Sequence, residues 1–365
     1  MRCRALCLCA ILALPPALSP AATLEERVEA LEKRNAELYH TLEEKKAAGV
    51  GTRIGDRLSL SGLLEVEASY ERRDARSGDD EAASDLVLAT AQLGFEAAIH
   101  ENLSATLVLL YEEDETEGVE VDEATLDYRR GAWFGRFGRQ YVPFGAFPSH
   151  FVSDPLTLEL GETRETAVLI GYDHDRFTLS LFAMNGDAEK VNAAGQAEED
   201  HVKDWGVSAV LRPLDGVELG ASLLSDLADT DADLLPEYRD RVAGWSAYAV
   251  IAAGPFELSG ELLGSLGAFD RADLDEDADG SGDRPLTWNL EAAWDVRPTV
   301  EVAARLAGSR DLAGFPRLQT GAVVSWSPWE QVSLALEYLH AAFDEDFEPE
   351  TDSADTLTAQ LAVEF

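Results

Sequence analysis

From about residue 57 onward, apolar and polar residues alternate with a period of two through one segment after another. Successive side chains of a β-strand point to opposite faces, so this period predicts strands with one apolar and one polar face. Sixteen such segments follow one another, near 57–70, 85–99, 103–111, 119–129, 132–141, 165–172, 176–184, 204–212, 217–224, 241–252, 256–267, 285–296, 299–307, 316–326, 331–342 and 355–365. The chain is therefore predicted to be all-β.

The connections between these segments alternate in length. Seven are tight, at 100–102, 130–131, 173–175, 213–216, 253–255, 297–298 and 327–330, and all of them except 173–175 carry a turn-forming glycine, proline or asparagine. Eight are longer, at 71–84, 112–118, 142–164, 185–203, 225–240, 268–284, 308–315 and 343–354. Short turns at one end and long loops at the other are the organisation of outer-membrane barrels. The sequence thus predicts a transmembrane antiparallel β-barrel of about 16 strands over residues 56–365, in contact with outer-membrane lipid.

Negative charge is concentrated in the long connections. The formal net charge is −41, and six of the eight long connections hold 34 of the 70 acidic residues. This charge excludes nucleic acid as a partner, because nucleic-acid binding needs a basic surface. Two interpretations remain open, namely general adaptation of the surface to high salt and attraction of cations to one mouth of a barrel.

The N-terminus has the organisation of a secretory signal peptide. Arg2 and Arg4 precede an apolar stretch over residues 5–14, and small residues follow up to residue 22. Residues 1–22 are therefore predicted to be removed on export. The three cysteines lie in this segment, so we expect no disulfide in the mature chain.

A short coiled coil is predicted over residues 23–46, before a linker at 47–55. Its heptad positions d and a are occupied, in chain order, by Leu24, Val28, Leu31, Asn35, Leu38 and Leu42. Residues 24–42 could join three copies as a homotrimer in the periplasm; the alternative is a lone amphipathic helix.

The third long connection, 142–164, differs from the others in composition. It is stiff and aromatic, with three prolines and three phenylalanines. Folding inward would bury its rings and narrow a pore, and the alternative is a loop that packs on the rim. If it folds inward, a mixed-charge cluster would form the constriction and set ion selectivity. The members of this predicted cluster are Arg136, Arg139, Asp154, Glu159, Glu162, Arg164 and Glu165.

Polar residues of the inward parity are expected to form a solvated pore wall, because a barrel of sixteen strands encloses an aqueous channel. Asp127, Arg129 and Gln140 belong to this predicted wall, together with Glu257, Glu261, Glu291, Glu301, Arg305 and Glu337. One position breaks the pattern, because Arg139 shares the parity of Trp133 and Phe137. Either a β-bulge turns Arg139 inward or the outward face of this strand is misassigned.

Two stretches resemble a known family. Residues 136–145 (RFGRQYVPFG) and 153–165 (SDPLTLELGETRE) are similar to the LbtU-type siderophore porins, and the similarity extends over the predicted order of signal peptide, coiled coil and barrel. The resemblance implies passive uptake of an iron–siderophore complex through the outer membrane. The alternative is a general or ion-selective porin for small hydrophilic solutes.

Neither catalysis nor a cofactor is expected. None of the six histidines lies beside a recognisable nucleophile motif. Asp275, Asp277 and Asp279 resemble the front of a calcium-binding loop, but position twelve is Leu286 rather than glutamate, so an EF-hand is excluded. This triplet is at most a weak calcium candidate, and a solvated acidic loop is the alternative.

Overall fold

The computed structural model describes residues 57–192 and 202–365. The predicted signal peptide (1–22), coiled coil (23–46) and linker (47–55) lie outside the described residues and stay predictions.

Sixteen antiparallel strands form one closed barrel, as the sequence predicted. They are β1 (Leu58–Ala75), β2 (Glu81–His100), β3 (Leu103–Tyr111), β4 (Glu120–Arg130), β5 (Trp133–Tyr141), β6 (Arg164–His174), β7 (Phe177–Met184), β9 (Asp204–Leu214), β10 (Val217–Leu224), β12 (Gly244–Ala253), β13 (Phe256–Ser265), β14 (Leu286–Arg297), β15 (Val300–Arg310), β16 (Leu318–Trp329), β17 (Val332–Ala342) and β18 (Thr351–Glu364). Each strand pairs with its neighbours in the chain, and β1 pairs with β18 to close the ring.

Four further elements lie in the described parts of the long connections. Helix α1 (Leu156–Gly161) follows β5, and a single 3₁₀ turn spans Leu227–Asp229. Two short strands, β8 (Glu189–Lys190) and β11 (Glu237–Tyr238), pair in parallel outside the barrel sheet.

The tight turns are shorter and more regular than the sequence indicated. All seven connections at this end of the barrel contain two residues. Gly131, Gly216 and Gly254 adopt φ values of 61°, 73° and 63° in three of them. Two-residue hairpin turns require this left-handed region, which glycine reaches at low cost.

An apolar surface runs continuously around the outside of the barrel. Val66 pairs with Leu361, Leu361 with Leu334, and Leu334 with Trp326, and all four side chains are exposed. The neighbouring positions point inward, where Gln360 Nε2 donates to Glu67 Oε1 at 2.9 Å. A closed sheet with an apolar exterior satisfies the two demands of a lipid bilayer, because every backbone group is paired and apolar surface meets hydrocarbon. Over the described ranges, no helix has the length and hydropathy needed to cross a membrane.

Two sequence predictions need correction. The first long connection is residues 76–80 rather than 71–84, because β1 and β2 stay paired through Glu71–Ala83 and Arg73–Glu81. The two strands remain paired in this polar stretch, where no apolar residues alternate. The apolar alternation therefore ends before the strands do, and it underestimates their length.

The irregularity at Arg139 is not a register bulge. Arg139 pairs with Ala124 and Thr166, and neither pairing skips a residue. Instead, Gly138 has φ 127°, and a Cβ on it would lie 2.0 Å from the Ala124 carbonyl oxygen. The strand therefore twists at a position that only glycine can occupy.

Candidate functional site

The connection between β5 and β6 crosses the interior of the barrel. Its base is closed by the Val142 N–H, which donates to the Thr163 carbonyl at 3.0 Å. From there the chain advances along the inner wall, from Ser222 on β10, which accepts from the Gly145 N–H at 3.0 Å, to Glu337 on β17. We call residues 142–163 the inner loop.

Three wall carboxylates hold the inner loop through its backbone. Glu261, Glu291 and Glu337 lie on β13, β14 and β17 and are 3%, 0% and 1% exposed. Their bonds are Ala146 N–H to Glu261 (3.0 Å), Phe147 N–H to Glu261 (2.8 Å), His150 N–H to Glu291 (2.7 Å), and Val152 and Ser153 N–H to Glu337 (2.6 and 3.2 Å). Because a carboxylate accepts more strongly than a neutral group, these bonds anchor backbone that has no sheet partner.

Arg305 on β15 binds the same stretch from its other side. Its side chain is fully buried, and Nε donates to Glu291 at 2.9 Å. The terminal nitrogens donate to the carbonyls of Ser153 (2.9 Å) and Asp154 (3.1 Å). The guanidinium also stacks over the Phe151 ring, 4.2 Å from its centroid. One cation thus fixes both the backbone and an aromatic ring at the tip of the loop.

His150 provides a second cationic link. Its Nδ1 lies 3.1 Å from Glu301 and its Nε2 lies 3.2 Å from Glu257. The hydrogen bond with Glu301 raises the pKa of His150 to about 9 against the opposing effect of burial, and the charges of Glu301, Glu257 and Glu291 add to the rise. The imidazole is therefore a cation at neutral pH.

Several residues predicted to line a solvated wall are instead buried beneath the inner loop. Glu261, Glu291, Arg305 and Glu337 are its anchors. Gln140 is also fully buried, but against its own sheet, with Nε2 donating to the Ala167 carbonyl at 3.0 Å. The alternation of the sequence identifies the inward face correctly, but it carries no information about which part of that face a loop will cover.

The residues of the predicted constriction cluster are spread over the interior. Arg136 pairs with Asp127 at 2.6 Å, while Arg164 pairs with Asp122 at 2.7 Å and with Glu120 at 3.3 Å. Arg139 is half-buried next to the Gly138 twist. The structure therefore separates the predicted arginines into different wall contacts and does not gather them into one ring.

The acidic members of that cluster also occupy different places. Asp154 on the inner loop and Glu159 on α1 both reach solvent inside the barrel. The surrounding barrel still desolvates Glu159 and raises its pKa to about 7, and Asp154 adds to the rise. Glu162 and Glu165 flank the end of the loop and the start of β6 and are half-buried. The side chain of Asp231 accepts from the Arg164 N–H next to them.

A strongly acidic cavity lies between the tip of the inner loop and the wall formed by β1 and β2. Its volume is about 450 Å³, and the loop contributes residues 151–154 to its lining. The carboxylates that line it are Glu65, Glu67, Glu112, Glu113, Glu115 and Asp154. No lysine or arginine is among the described residues that line it. We call this cavity the acidic passage.

Burial raises the pKa of Asp154 and of Glu112 in the acidic passage, and the charge of Glu115 acts in the same direction on both. Sequence reasoning missed Glu112, Glu113 and Glu115 as lining residues. Their common signal was only their place in an acidic loop.

A second cavity of about 590 Å³ lies at the tight-turn end of the barrel interior. Asp127, Arg129, Arg136 and Tyr141 line it together with the buried Gln140, so Asp127, Arg129 and Gln140 of the predicted pore wall all border this cavity. Arg129 is 3.2 Å from Asp173 and stacks over the Phe134 ring at 5.3 Å. This cavity carries both signs of charge, unlike the acidic passage.

On the side of β6 to β13, apolar side chains fill the interior. The buried cluster includes Phe144 and Leu160 of the inner loop, Phe182 of β7, Leu227 of the 3₁₀ turn and Leu263 of β13. This packing joins the inner loop to the neighbouring long connections, and the acidic passage lies away from it, next to β1 and β2.

The relatives of this chain have names that state no function, and the similar solved structures share its fold. No family model matches the chain. It is 26% identical over 328 residues to a UPF0422 protein of Coxiella burnetii, covering 83% of this chain and 68% of the relative. It is 23% identical over 358 residues to a UPF0422 protein of Legionella pneumophila, covering 84% and 66% of the two chains. Neither name states a cargo, so the resemblance to siderophore porins stays a prediction.

The similar solved structures are porins and other outer-membrane proteins. Salmonella typhi OmpF in complex with daunomycin has a TM-score of 0.61 at 12% identity, covering 86% of this chain and all of that one. The anion-selective porin of Comamonas acidovorans has a TM-score of 0.60 at 13% identity, covering 84% and 99%. OmpT of Vibrio cholerae in a trimer form has a TM-score of 0.51 at 11% identity, covering 86% and 99%. At these identities the similarity establishes the porin barrel fold.

Proposed function

We propose that this protein is an outer-membrane channel through which small hydrophilic solutes diffuse passively, with a preference for cations. The observation that carries the proposal is the inner loop, fixed across the interior by buried charged groups, facing a cavity lined by six carboxylates. A fixed loop opposite an open wall is the arrangement expected of a pore constriction.

The cation preference follows from the charges of the acidic passage. Glu65, Glu67 and Asp154 line one concave cavity inside the barrel, where low-dielectric walls concentrate their field more than an open surface would. Rings of acidic side chains attract cations and repel anions in this setting. The acidic long loops would raise the cation concentration at the same mouth.

A finer proposal concerns the cargo. The resemblance of residues 136–145 and 153–165 to siderophore porins supports uptake of an iron–siderophore complex. The charge of the acidic passage supports only complexes that are neutral or positive, because an anionic carboxylate complex would be repelled. Small cationic solutes are the cargo that the geometry favours most directly.

Uptake by liposomes tests the proposal. Lysine, glutamine and glutamate are similar in size and differ in charge, so they separate charge selection from sieving. We expect proteoliposomes to take up lysine faster than glutamine and glutamine faster than glutamate. Equal rates would contradict the cation preference, and rates no higher than those of empty liposomes would contradict the channel. A neutral ferric hydroxamate complex compared with a sugar of similar size tests the siderophore cargo.

We also propose that residues 24–42 join three copies on the periplasmic side. The heptad pattern supports this, and so does the trimer form of the structurally similar Vibrio cholerae protein. Chemical cross-linking of the full chain should give a trimer band that disappears when residues 24–42 are deleted. A trimer that persists after the deletion would mean that the copies associate through the barrel instead.

A further inference from the structure

We propose that Asp204, Asp226 and Asp229 form a binding site for a divalent cation of the calcium type at the mouth of the barrel. Asp204 begins β9, and the other two belong to the connection between β10 and β12. One carboxylate oxygen of each lies within 4.8 Å of the others. A cation at this point would join the connection after β7 to the connection after β10.

The oxygens that converge there lack donors. The three aspartates are 1%, 0% and 4% exposed, and each retains one buried oxygen, Oδ2, with no hydrogen-bond partner. The hydroxyl of Tyr238, a residue outside the acidic cluster, is also buried, and it lies beside Asp226 and Arg241 without a hydrogen bond of good geometry to either. Buried oxygens without donors are costly unless a cation coordinates them.

The remaining carboxylate oxygens are held in place by the protein. Ser225 Oγ donates to Asp204 at 3.2 Å, and the Ala228 N–H donates to Asp226 at 3.2 Å. The Ala188 N–H, from the connection after β7, donates to Asp229 at 3.1 Å. Each carboxylate thus has one oxygen fixed by a donor and a second oxygen, Oδ2, that accepts no hydrogen bond, although Oδ2 of Asp226 lies 3.4 Å from Arg241 Nε. Supporting hydrogen bonds of this kind orient metal ligands.

Charge balance also points to a divalent ion. Arg241 lies 2.9 Å from Asp204 and 3.4 Å from Asp226, and it offsets one of the three negative charges. The Lys203 ammonium lies over the Tyr238 ring, 5.7 Å from its centroid. Three ionised carboxylates and one guanidinium leave two negative charges, which one divalent cation neutralises. The candidate ligand atoms are all oxygens, which suit calcium better than zinc or copper.

Without a cation, a proton can take part of this role. Burial raises the pKa of Asp229 to about 8, and the negative charges of Asp204 and Asp226 add to the rise. The two possibilities differ in their response to calcium, because the proton needs no metal.

The triplet Asp275, Asp277 and Asp279 serves as a control. Its carboxylates also converge within 4.8 Å, but none of them is fully buried. Their oxygens accept from backbone N–H groups of the same loop, including Asp279 N–H to Asp277 at 3.0 Å and Gly280 N–H to Asp275 at 3.3 Å. Nothing in this loop requires a cation.

Thermal unfolding of the purified full-length protein in detergent tests the site. We expect about 5 mM calcium, above the range of extracellular calcium sites, to raise the melting temperature by at least about 3 °C relative to EDTA. D226N/D229N should lose this shift, and D275N/D277N should keep it. Asparagine imitates the protonated carboxyl in shape, so the first variant is expected to fold.

Isothermal titration with calcium chloride provides a second measurement, which does not depend on unfolding. One calcium ion should bind to the wild type and to D275N/D277N, and D226N/D229N should lose it. The proposal is overturned if calcium neither binds to nor stabilises the wild type, or if D226N/D229N responds as the wild type does. Ion conduction is a separate property, so this failure would leave the proposed channel untouched.

Discussion

At the scale of single residues, the inner loop depends on a small number of buried charged groups. Glu261, Glu291 and Glu337 would each be costly to bury alone, but backbone N–H groups of the loop supply donors. The interaction is reciprocal, because those N–H groups have no strand to pair with. Removing one carboxylate therefore leaves donors unpaired.

Glu337→Ala should loosen the tip of the inner loop. It removes the acceptor of the Val152 and Ser153 N–H groups and of the Ser153 hydroxyl. Unpaired buried donors cost about 1–3 kcal/mol, so the population with a detached tip should rise about tenfold or more. Single-channel recording should show larger and noisier conductance. Glu96→Gln, at an exposed carboxylate of β2, is the matched control and should behave as the wild type.

His150 should make the loop sensitive to alkaline pH. Its pKa is about 9 in the folded protein, above the ordinary value of 6.5. The stabilisation by the charged imidazole is thus complete below pH 6.5 and is lost as the pH rises through about 9. The conductance noise of the wild type should increase between pH 7 and pH 10. The conductance noise of His150→Gln should be high at both pH values. An identical pH response in the two proteins would exclude this role for His150.

At the scale of elements, strands were predictable and loop contacts were not. The ranges 103–111 and 217–224 match β3 and β10 at both ends, because a half-buried strand in lipid must alternate strictly. The prediction was wrong at the β1–β2 hairpin, whose polar extension has no reason to alternate. The composition of the inner loop suggested that it folds inward. The alternation of the strands shows which carboxylates point inward, but it does not show which of them bind the loop.

Deletion of residues 146–160 should widen the channel. The segment contains the backbone groups that bind Glu261 and Glu291, and it contributes Asp154 to the acidic passage. We expect a higher single-channel conductance and weaker discrimination between lysine and glutamate. Unchanged conductance and selectivity in a correctly folded deletion variant would mean that the loop does not form the constriction. The change in gel mobility between unheated and boiled samples checks that the deletion variant is folded.

At the scale of the whole molecule, the barrel combines an apolar exterior with an interior that is half filled. Leu181 pairs with Ile170 and Val207, and both Leu181 and Ile170 are exposed on the outer face. The sequence predicted this exterior well, since parity and strand number are local properties. The filled side of the interior depends on contacts between distant loops, which a single sequence does not specify.

Leu181→Arg should destabilise the barrel in lipid by about 2–4 kcal/mol, because an ionised side chain would face hydrocarbon near the middle of a strand. Val119→Arg is the matched control, since Val119 is equally apolar and more exposed but lies in a long connection. It should change the folding free energy by no more than about 0.5 kcal/mol. Urea titration in lipid vesicles measures both. Equal effects would mean that the outer face does not contact hydrocarbon.

The most direct test of the channel is the reversal potential of single channels in a planar bilayer under a potassium chloride gradient. We predict discrete conductance steps and a reversal potential whose sign is that of a cation-selective pore. Selectivity should weaken as the pH falls and Asp154 and Glu112 become protonated, because burial raises the pKa of both carboxyl groups above their ordinary values. Glu67→Gln/Asp154→Asn should show weaker selectivity at every pH. A protein that inserts without conducting, or one that selects anions, would contradict the account.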